Sequence, residues 1–148
     1  MKPKKTLILL ASEDRMRLCE NTGVGKGVRE FAAKSVEDYD DIAAGYADMP
    51  GRGQAAPGVA GHKFERPTSE RDQARGDFAT HVIAETAQAF SAGGYDRLVM
   101  AAAPKMLGEL RQSLPKGLKT ALLEDLAKDL TNTPEADLAG HFADVLAV

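Results

Sequence analysis

The sequence has few of the residues that usually mark a metal or cofactor site. Its 148 residues include no tryptophan, one cysteine and three histidines, and 5% are aromatic. A lone thiol cannot form an internal disulfide, and Cys19 lies in a strand-like run, which predicts a buried, inert side chain. His62, His81 and His141 lack the spacing of a zinc site, and no Ser-His-Asp or Cys-His set is recognisable. The sequence therefore predicts no metal and no cofactor.

Long hydrophobic runs are also absent. The first apolar run, Leu7 to Ala11, is shorter than the roughly 7–15 residues of a secretory signal core. No segment reaches the ~18 apolar residues of a membrane span, so we expect a cytoplasmic protein without a membrane segment. The net charge of −3 excludes a basic footprint over the whole surface, but it permits a local basic patch that could contact RNA.

The length fits one domain, and the shortage of aromatics predicts a core of leucine, valine, isoleucine and alanine. Strands are predicted over Thr6–Ala11, Met16–Glu20 and Val28–Ala32, joined by short turns into an antiparallel meander. The first is expected to be buried on both faces because it is apolar throughout. The second alternates, which predicts one wet face.

Further along the chain, helical and strand patterns alternate. The spacing of apolar residues predicts a helix from about Thr68 to Phe90, a buried strand over Arg97–Ala103, a short helix over Lys105–Leu114 and a helix that begins at Pro134. The segment Leu118–Leu130 fits either a helix or an edge strand. This order predicts a sheet of the α/β or α+β class with helices packed on it.

A stretch from about residue 35 to 67 has little helix or strand pattern and carries the strongest charge pattern of the chain. Acidic residues dominate up to Met49, and basic residues dominate from Pro50 to Arg75. At its centre, Gly51-Arg52-Gly53-Gln54 places an amide and a guanidinium on a glycine-rich loop, where a backbone can approach a ligand closely. A loop of this length is usually functional or disordered.

The sequence offers three groups of candidate site residues. Gln54 could orient a water molecule or a tRNA end through its amide. An RNA- or phosphate-binding surface is predicted from Arg52, Gly53, Lys63, Arg66, Arg71 and Arg75, and its alternative is solvated loop and helix surface. Lys105 and Gly108 follow a buried strand, where a helix start can bind an anion. The alternative there is a tight connection in which Gly108 permits close packing.

Acidic residues raise a further hypothesis. Glu13 and Asp14 follow the first strand, as the carboxylates of ribonuclease-H-like nucleases do, but a nuclease would need further acids to converge on them. Asp96, Glu124 and Asp125 are the candidates, and nothing in their spacing indicates convergence. We therefore predict a hairpin turn at Glu13 and Asp14.

Three stretches resemble the family of small bacterial host-attachment proteins, described as "protein required for attachment to host cells". They are Leu9–Leu18, Asp48–Arg52 ahead of a basic helix and, most specifically, Tyr95–Arg111 followed by Lys128–Thr131. The resemblance implies a single host-attachment-type domain over residues 1–148. That family is similar to the middle domain of eukaryotic and archaeal class-1 translation release factors. The similarity implies an α/β fold with a mixed, ribonuclease-H-like sheet, flanking helices and a strand within Leu118–Leu130.

The release-factor domain carries a Gly-Gly-Gln loop that enters the ribosomal peptidyl-transferase centre, and this chain departs from it by having Arg52 before Gly53. The resemblance implies, first, a non-enzymatic intracellular module that associates with RNA, the ribosome or tRNA. The second implied function is peptidyl-tRNA ester hydrolysis with Gln54 orienting water. The third is an indirect role in host attachment through protein partners.

Overall fold

The computed structural model describes residues 3–42 and 68–148. These residues form one mixed sheet with helices packed on it, which confirms the predicted α/β class. The elements are β1 (Thr6–Ala11), β2 (Arg15–Asn21), β3 (Arg29–Ser35), a 3-10 turn (Val36–Asp38), α1 (Thr68–Gly93), β4 (Arg97–Ala102), α2 (Pro104–Ser113), α3 (Lys116–Ala121), β5 (Leu122–Leu126) and α4 (Glu135–Phe142).

Strand β1 is the centre of the sheet, whose strand order is β3-β2-β1-β4-β5. It pairs antiparallel with β2, with Leu9 opposite Leu18, and parallel with β4, with Leu9 opposite Met100. All six β1 residues are buried, as predicted, because helices cover both faces of this part of the sheet. Strands β2 and β3 pair antiparallel, so the predicted meander is confirmed.

Alternation along β1 divides the core into two layers. Leu7 and Leu9 pack on one face with Phe78 of α1 and Leu110 of α2. Ile8 and Leu10 point to the other face, where they pack with residues of α4 and the chain after it, including Leu138, Phe142 and Leu146. Leucine, isoleucine, valine, alanine and methionine supply most of both layers, as the shortage of aromatic residues predicts.

The prediction that one face of β2 is exposed to solvent is wrong. The face with Arg17 and Cys19 is covered, and Cys19 is fully buried in the second core layer, in agreement with its predicted inert role. Arg17 donates hydrogen bonds from Nη1 to the carbonyl oxygens of Leu130 at 3.0 Å and Thr133 at 2.6 Å, so the segment before α4 covers the face. This covering segment lies more than 100 residues further along the chain, so the local pattern of β2 could not reveal it.

The ambiguous segment contains both helix and strand. Helix α3 ends at Ala121, and β5 begins at the next residue and pairs parallel with β4, with Val99 opposite Glu124. This confirms the strand that the resemblance implied. Because β5 is an edge strand with exposed residues, its hydrophobic alternation is weak and backbone pairing with β4 determines its conformation.

Helix α1 runs antiparallel to β1. Near its start, Arg75 contacts Glu13 just after β1, and at its end Lys5 Nζ donates to the Gly93 carbonyl oxygen at 2.7 Å. The helix stops there because Gly94 takes a left-handed conformation with φ of 66°. The start of α1 therefore lies at the carboxyl end of β1, and α2 begins at the same end, directly after β4.

Candidate functional site at the carboxyl end of the sheet

The turn after β1 is held in a fixed shape beside the start of α1. Ser12 is buried, and its Oγ donates to Asp14 Oδ1 at 2.9 Å and accepts from the Arg15 amide at 3.2 Å. The Ser12 amide also donates to the Arg15 carbonyl oxygen at 2.8 Å, which closes the hairpin. The predicted hairpin turn is therefore present, and it presents the Glu13 side chain to α1.

Arg75 joins α1 to this turn. Its Nε donates to Glu13 Oε1 at 3.0 Å and its Nη1 donates to Asp72 Oδ1 at 2.7 Å, and the residue is only 7% exposed. Burial opposes the charge, but the hydrogen bonds and charges of Asp72 and Glu13 outweigh it and raise the pKa of Arg75. The guanidinium is thus a structural link between a helix and a strand end.

Arg71, one helical turn earlier, is exposed. The two arginines were predicted to share one phosphate-facing surface, and the structure separates their environments. The Arg71 side chain is exposed in the first turns of α1, whereas Arg75 reaches the turn after β1. Of this pair, Arg71 has its side chain in solvent at this end of the sheet.

The residues of the predicted anion site, Lys105 and Gly108, lie in the first turns of α2. Lys105 is exposed in the first turn of α2, after Pro104 at the first helical position. A methyl group added at Gly108 would meet no atom within 4 Å apart from its chain neighbours and the backbone of its own helix, so close packing is not the reason for that glycine. The close approach lies instead at Gly76 of α1, where a Cβ would come 2.9 Å from Glu109 Oε2. Sequence reasoning missed Gly76 because a lone glycine inside a helix gives no local sign of its neighbour.

The acidic residues considered for a nuclease do not converge. Asp96 accepts from the Lys5 amide at 2.9 Å near the amino end of β1, whereas Glu13 lies at the carboxyl end. Asp125 accepts from Arg111 at 2.7 Å and 2.8 Å, and this guanidinium lowers the pKa of the Asp125 carboxyl. Within residues 3–42 and 68–148, no group of three histidine, cysteine or carboxylate side chains could hold a metal ion.

An anchor that sequence reasoning missed lies at the beginning of the predicted loop. His81 of α1 stacks on Tyr39 with ring centroids 4.2 Å apart, and its Nε2 lies 3.1 Å from both carboxylate oxygens of Asp41. The hydrogen bond with His81 lowers the pKa of Asp41. Val36 and Ile42 are buried in the first core layer, so residues 36–42 pack on the fold although their sequence has little helix or strand pattern.

The remaining predicted site residues lie outside the described residues. They are Arg52, Gly53, Gln54, Lys63 and Arg66. The described chain stops at Ile42, which is packed on the α1 side of the sheet, and resumes at Thr68, where α1 begins. Arg71 therefore follows this segment closely in sequence and lies where α1 starts. No helix in the described part of the chain is long and apolar enough to span a bilayer.

The comparison with protein families assigns the chain to a release-factor-like class. The family model for bacterial archaeo-eukaryotic release factor family 12 matches residues 5–142, and the chain belongs to that family. The match confirms the release-factor relation expected from the sequence, and it does not carry the host-attachment name. It is compatible with a role in translation and with association with the ribosome.

A curated relative has also been found. Over 72 residues the chain is 39% identical to the uncharacterized protein RP470 of Rickettsia prowazekii (strain Madrid E). The aligned region covers 47% of this chain and 48% of that protein. The match therefore spans about half the length of the curated relative, and it names no activity.

Proposed function

We propose that this protein is a non-enzymatic module that associates with RNA or the ribosome. The observation that carries the proposal is the release-factor family match over residues 5–142. Because the net charge of the protein is −3, a surface that binds nucleic acid requires basic residues that cluster in one place. The ribosome or tRNA is the proposed partner.

Exposed cations at the carboxyl end of the sheet support a local surface of this kind. Arg71 extends from the start of α1 and Lys105 from the start of α2, and both helices begin at that end. Arg52, Gly53, Lys63 and Arg66 belong to the proposed surface on sequence grounds. Arg75 has a different proposed role: by binding Glu13 and Asp72 it positions the first turns of α1, so that Arg71 faces solvent.

Sedimentation of the full chain with ribosomes from a native lysate, at low and high salt, tests the proposal. Phosphate contacts release counterions, so association should weaken steeply as salt rises. Arg71→Glu is expected to reduce co-sedimentation. Lys119→Glu, which makes the same charge change at an exposed position in α3, before the amino end of β5, is the matched control and should co-sediment like wild type. A chain that stays at the top of the gradient under every condition would overturn the proposal.

The alternative function is peptidyl-tRNA ester hydrolysis. The sequence Gly51-Arg52-Gly53-Gln54 favours it, because a glutamine amide on a glycine-rich loop can orient water. This alternative expects Gln54→Ala to abolish ester cleavage of a peptidyl-tRNA on the ribosome while co-sedimentation is retained. Equal cleavage by wild type and by Gln54→Ala would exclude a role for this amide.

Three further parts of the proposal concern the type of sheet, the cellular location and a role in host attachment. An antiparallel β1-β2-β3 meander, extended beyond β1 by parallel β4 and β5, supports a ribonuclease-H-like sheet. We place the protein in the cytoplasm and assign any role in host attachment to an indirect effect exerted through protein partners. Cell fractionation tests both, and recovery of the protein on the outer surface would contradict them.

A further inference from the structure

A bulge in strand β3 brings an aromatic ring to the surface. The register of β2 and β3 pairs Leu18 with Ala32 and Cys19 with Glu30, so Phe31 is an extra residue between the two pairs. An inserted residue of this kind interrupts the ladder and redirects its side chain. Phe31 therefore lies on the α1 side of the sheet, stacked on Tyr95 at 6.4 Å with an interplanar angle of 13°, and it remains 43% exposed.

Phe31 belongs to a group of three rings. Phe90 at the end of α1 lies 6.2 Å from Tyr95, and both of these rings are half-buried against the first core layer. We call Phe31, Phe90 and Tyr95 the aromatic platform. Its inner members are fixed by packing, and Tyr95 is fixed further by donating from its hydroxyl to Glu20 Oε1 at 2.6 Å. The platform is thus rigid on its inner side and open at Phe31.

Cations flank the platform. Lys26, Arg29, Glu20 and Thr22 line an adjoining cleft of about 300 Å³, which Glu20 connects to Tyr95. The Arg29 side chain is 74% exposed, with its Nη2 3.2 Å from Glu20 Oε2, and Lys26 is exposed. Lys5 Nζ lies 4.6 Å from the centroid of the Tyr95 ring. Three cations, Lys5, Lys26 and Arg29, against two carboxylates, Glu20 and Asp96, leave this surface with an excess of one positive charge on a protein of negative net charge.

We propose that the aromatic platform and the adjoining cleft bind single-stranded RNA. A base stacks on the exposed face of Phe31, and the neighbouring phosphate lies between Arg29 and Lys26. An aromatic face beside exposed cations matches the alternation of bases and phosphates in a single strand, and stacking accepts any base. The proposal rests on the RNA association proposed above and adds a second contact surface. This surface lies at the opposite end of α1 from Arg71, roughly 28 Å along the helix axis.

Binding of the full chain to a fluorescently labelled ten-nucleotide oligouridylate, measured by anisotropy, tests the proposal. Loss of one stacked base is expected to weaken binding about 10-fold in Phe31→Ala. Phe31→Leu, which keeps apolar volume but lacks a π face, should show a similar loss, and Phe31→Tyr should bind like wild type. Leu123→Ala is the matched control, since Leu123 is also 43% exposed but lies on the opposite edge strand, and it should not change affinity.

The salt dependence tests the phosphate contact. Arg29→Gln should weaken binding at low salt and lower the slope of log affinity against log salt by about one. Lys128→Gln should leave the slope unchanged. Thermal unfolding of each variant, followed by circular dichroism, identifies any loss of affinity that reflects misfolding.

The outcomes separate this inference from the proposed function. Equal affinities of Phe31→Ala and Leu123→Ala for the oligouridylate would overturn RNA binding by the platform, even if Arg71→Glu reduces ribosome association. The same result is expected if the platform binds a protein instead of RNA. Loss of oligouridylate affinity in Phe31→Ala, with ribosome sedimentation absent in wild type, would support the platform and overturn the ribosome association proposed above. A wild-type chain that does not bind the oligouridylate at low salt would also overturn the platform.

Discussion

Arg75 and Glu13 are separated by 62 residues in sequence, and their side chains meet at 3.0 Å at the carboxyl end of the sheet. The contact links the first turns of α1 to the hairpin turn after β1. Arg71 and Arg75 are one helical turn apart, but only Arg71 is directed to solvent. The two arginines therefore cannot be treated as one basic surface. The stability of the fold should therefore respond to Arg75 and not to Arg71.

The first prediction concerns this pair of arginines. Arg75→Ala should lower the free energy of unfolding by about 1–3 kcal/mol, because it removes a buried donor bonded to two carboxylates. Arg71→Ala, at an exposed position on the same helix, should change it by less than about 0.5 kcal/mol. Urea denaturation followed by circular dichroism measures both values. Equal destabilisation by the two variants would contradict the structural role of Arg75.

The second prediction concerns glycines with different surroundings. Gly94→Ala should destabilise the fold by about 1 kcal/mol, because its φ of 66° is unfavourable for a residue with a Cβ. Gly108→Ala should stabilise it by about 0.5–1 kcal/mol, because the added methyl group improves helix propensity and meets open space. Gly76→Ala should gain less than Gly108→Ala, since the Glu109 carboxylate must move away.

Thermal and urea unfolding of the three alanine variants measure these differences. A stabilising Gly94→Ala would show that α1 does not end in a left-handed residue. A destabilising Gly108→Ala would show a close neighbour on that side of α2.

The third prediction concerns the buried thiol. Burial raises the pKa of Cys19 to about 12, whereas a thiol in the unfolded chain has a pKa of about 8.5. As the pH rises through this interval, the unfolded chain loses a proton that the folded chain keeps. Stability should therefore fall with rising pH, by up to about 1.4 kcal/mol per pH unit from this group.

The free energies of unfolding of wild type and Cys19→Ala, compared between pH 8 and 10, isolate the contribution of the thiol. Wild type should lose stability faster than the variant as the pH rises. The native thiol should also resist a thiol-specific reagent at pH 8 and react fully in guanidinium. Rapid native labelling would show that the face of β2 is open.

The fourth prediction concerns the anchor between Asp41 and His81. Because the hydrogen bond with His81 lowers the pKa of Asp41, the carboxylate stabilises the fold above the unfolded pKa of ~3.9. This contribution is lost as the pH falls through the lower, folded pKa. Asp41→Asn should therefore be less stable than wild type at pH 5, and the difference should shrink in stronger acid.

Asp40→Asn is the matched control for this prediction, since Asp40 is an exposed neighbour of the same charge. Acid unfolding followed by circular dichroism should distinguish the two variants. Identical acid profiles for Asp40→Asn and Asp41→Asn would show that His81 does not anchor residues 39–42.

Several elements could be predicted because their signals are local. The apolar run of β1 is long enough for a strand, and it lacks the polar alternation of a strand that is buried on one face only. Helical spacing of apolar residues around Phe78 and Val82 identified α1. Gly94 ended that helix through its own backbone preference. The resemblance to release-factor relatives supplied the strand within Leu118–Leu130, which residue patterns left open.

Parts of the candidate site could not be predicted because they depend on contacts between distant segments. Nothing near Arg75 indicates that Glu13 is its partner, and nothing near His81 indicates Asp41. Phe31 was predicted to lie within a regular strand, and only the register between β2 and β3 identifies it as a bulge residue. Each of these depends on which segments the sheet brings together.

The sequence by itself determined a sheet with helices packed on it, a first strand buried on both faces, the long helix and the absence of a long apolar segment, since these follow from composition and local periodicity. Only the tertiary structure decided which charges are exposed and which are used internally. The side chain of an arginine is long enough to reach either solvent or a buried carboxylate, and the choice depends on the segment that the fold places beside it. For that reason Arg71 and Arg75, with the same chemistry one turn apart, have different roles.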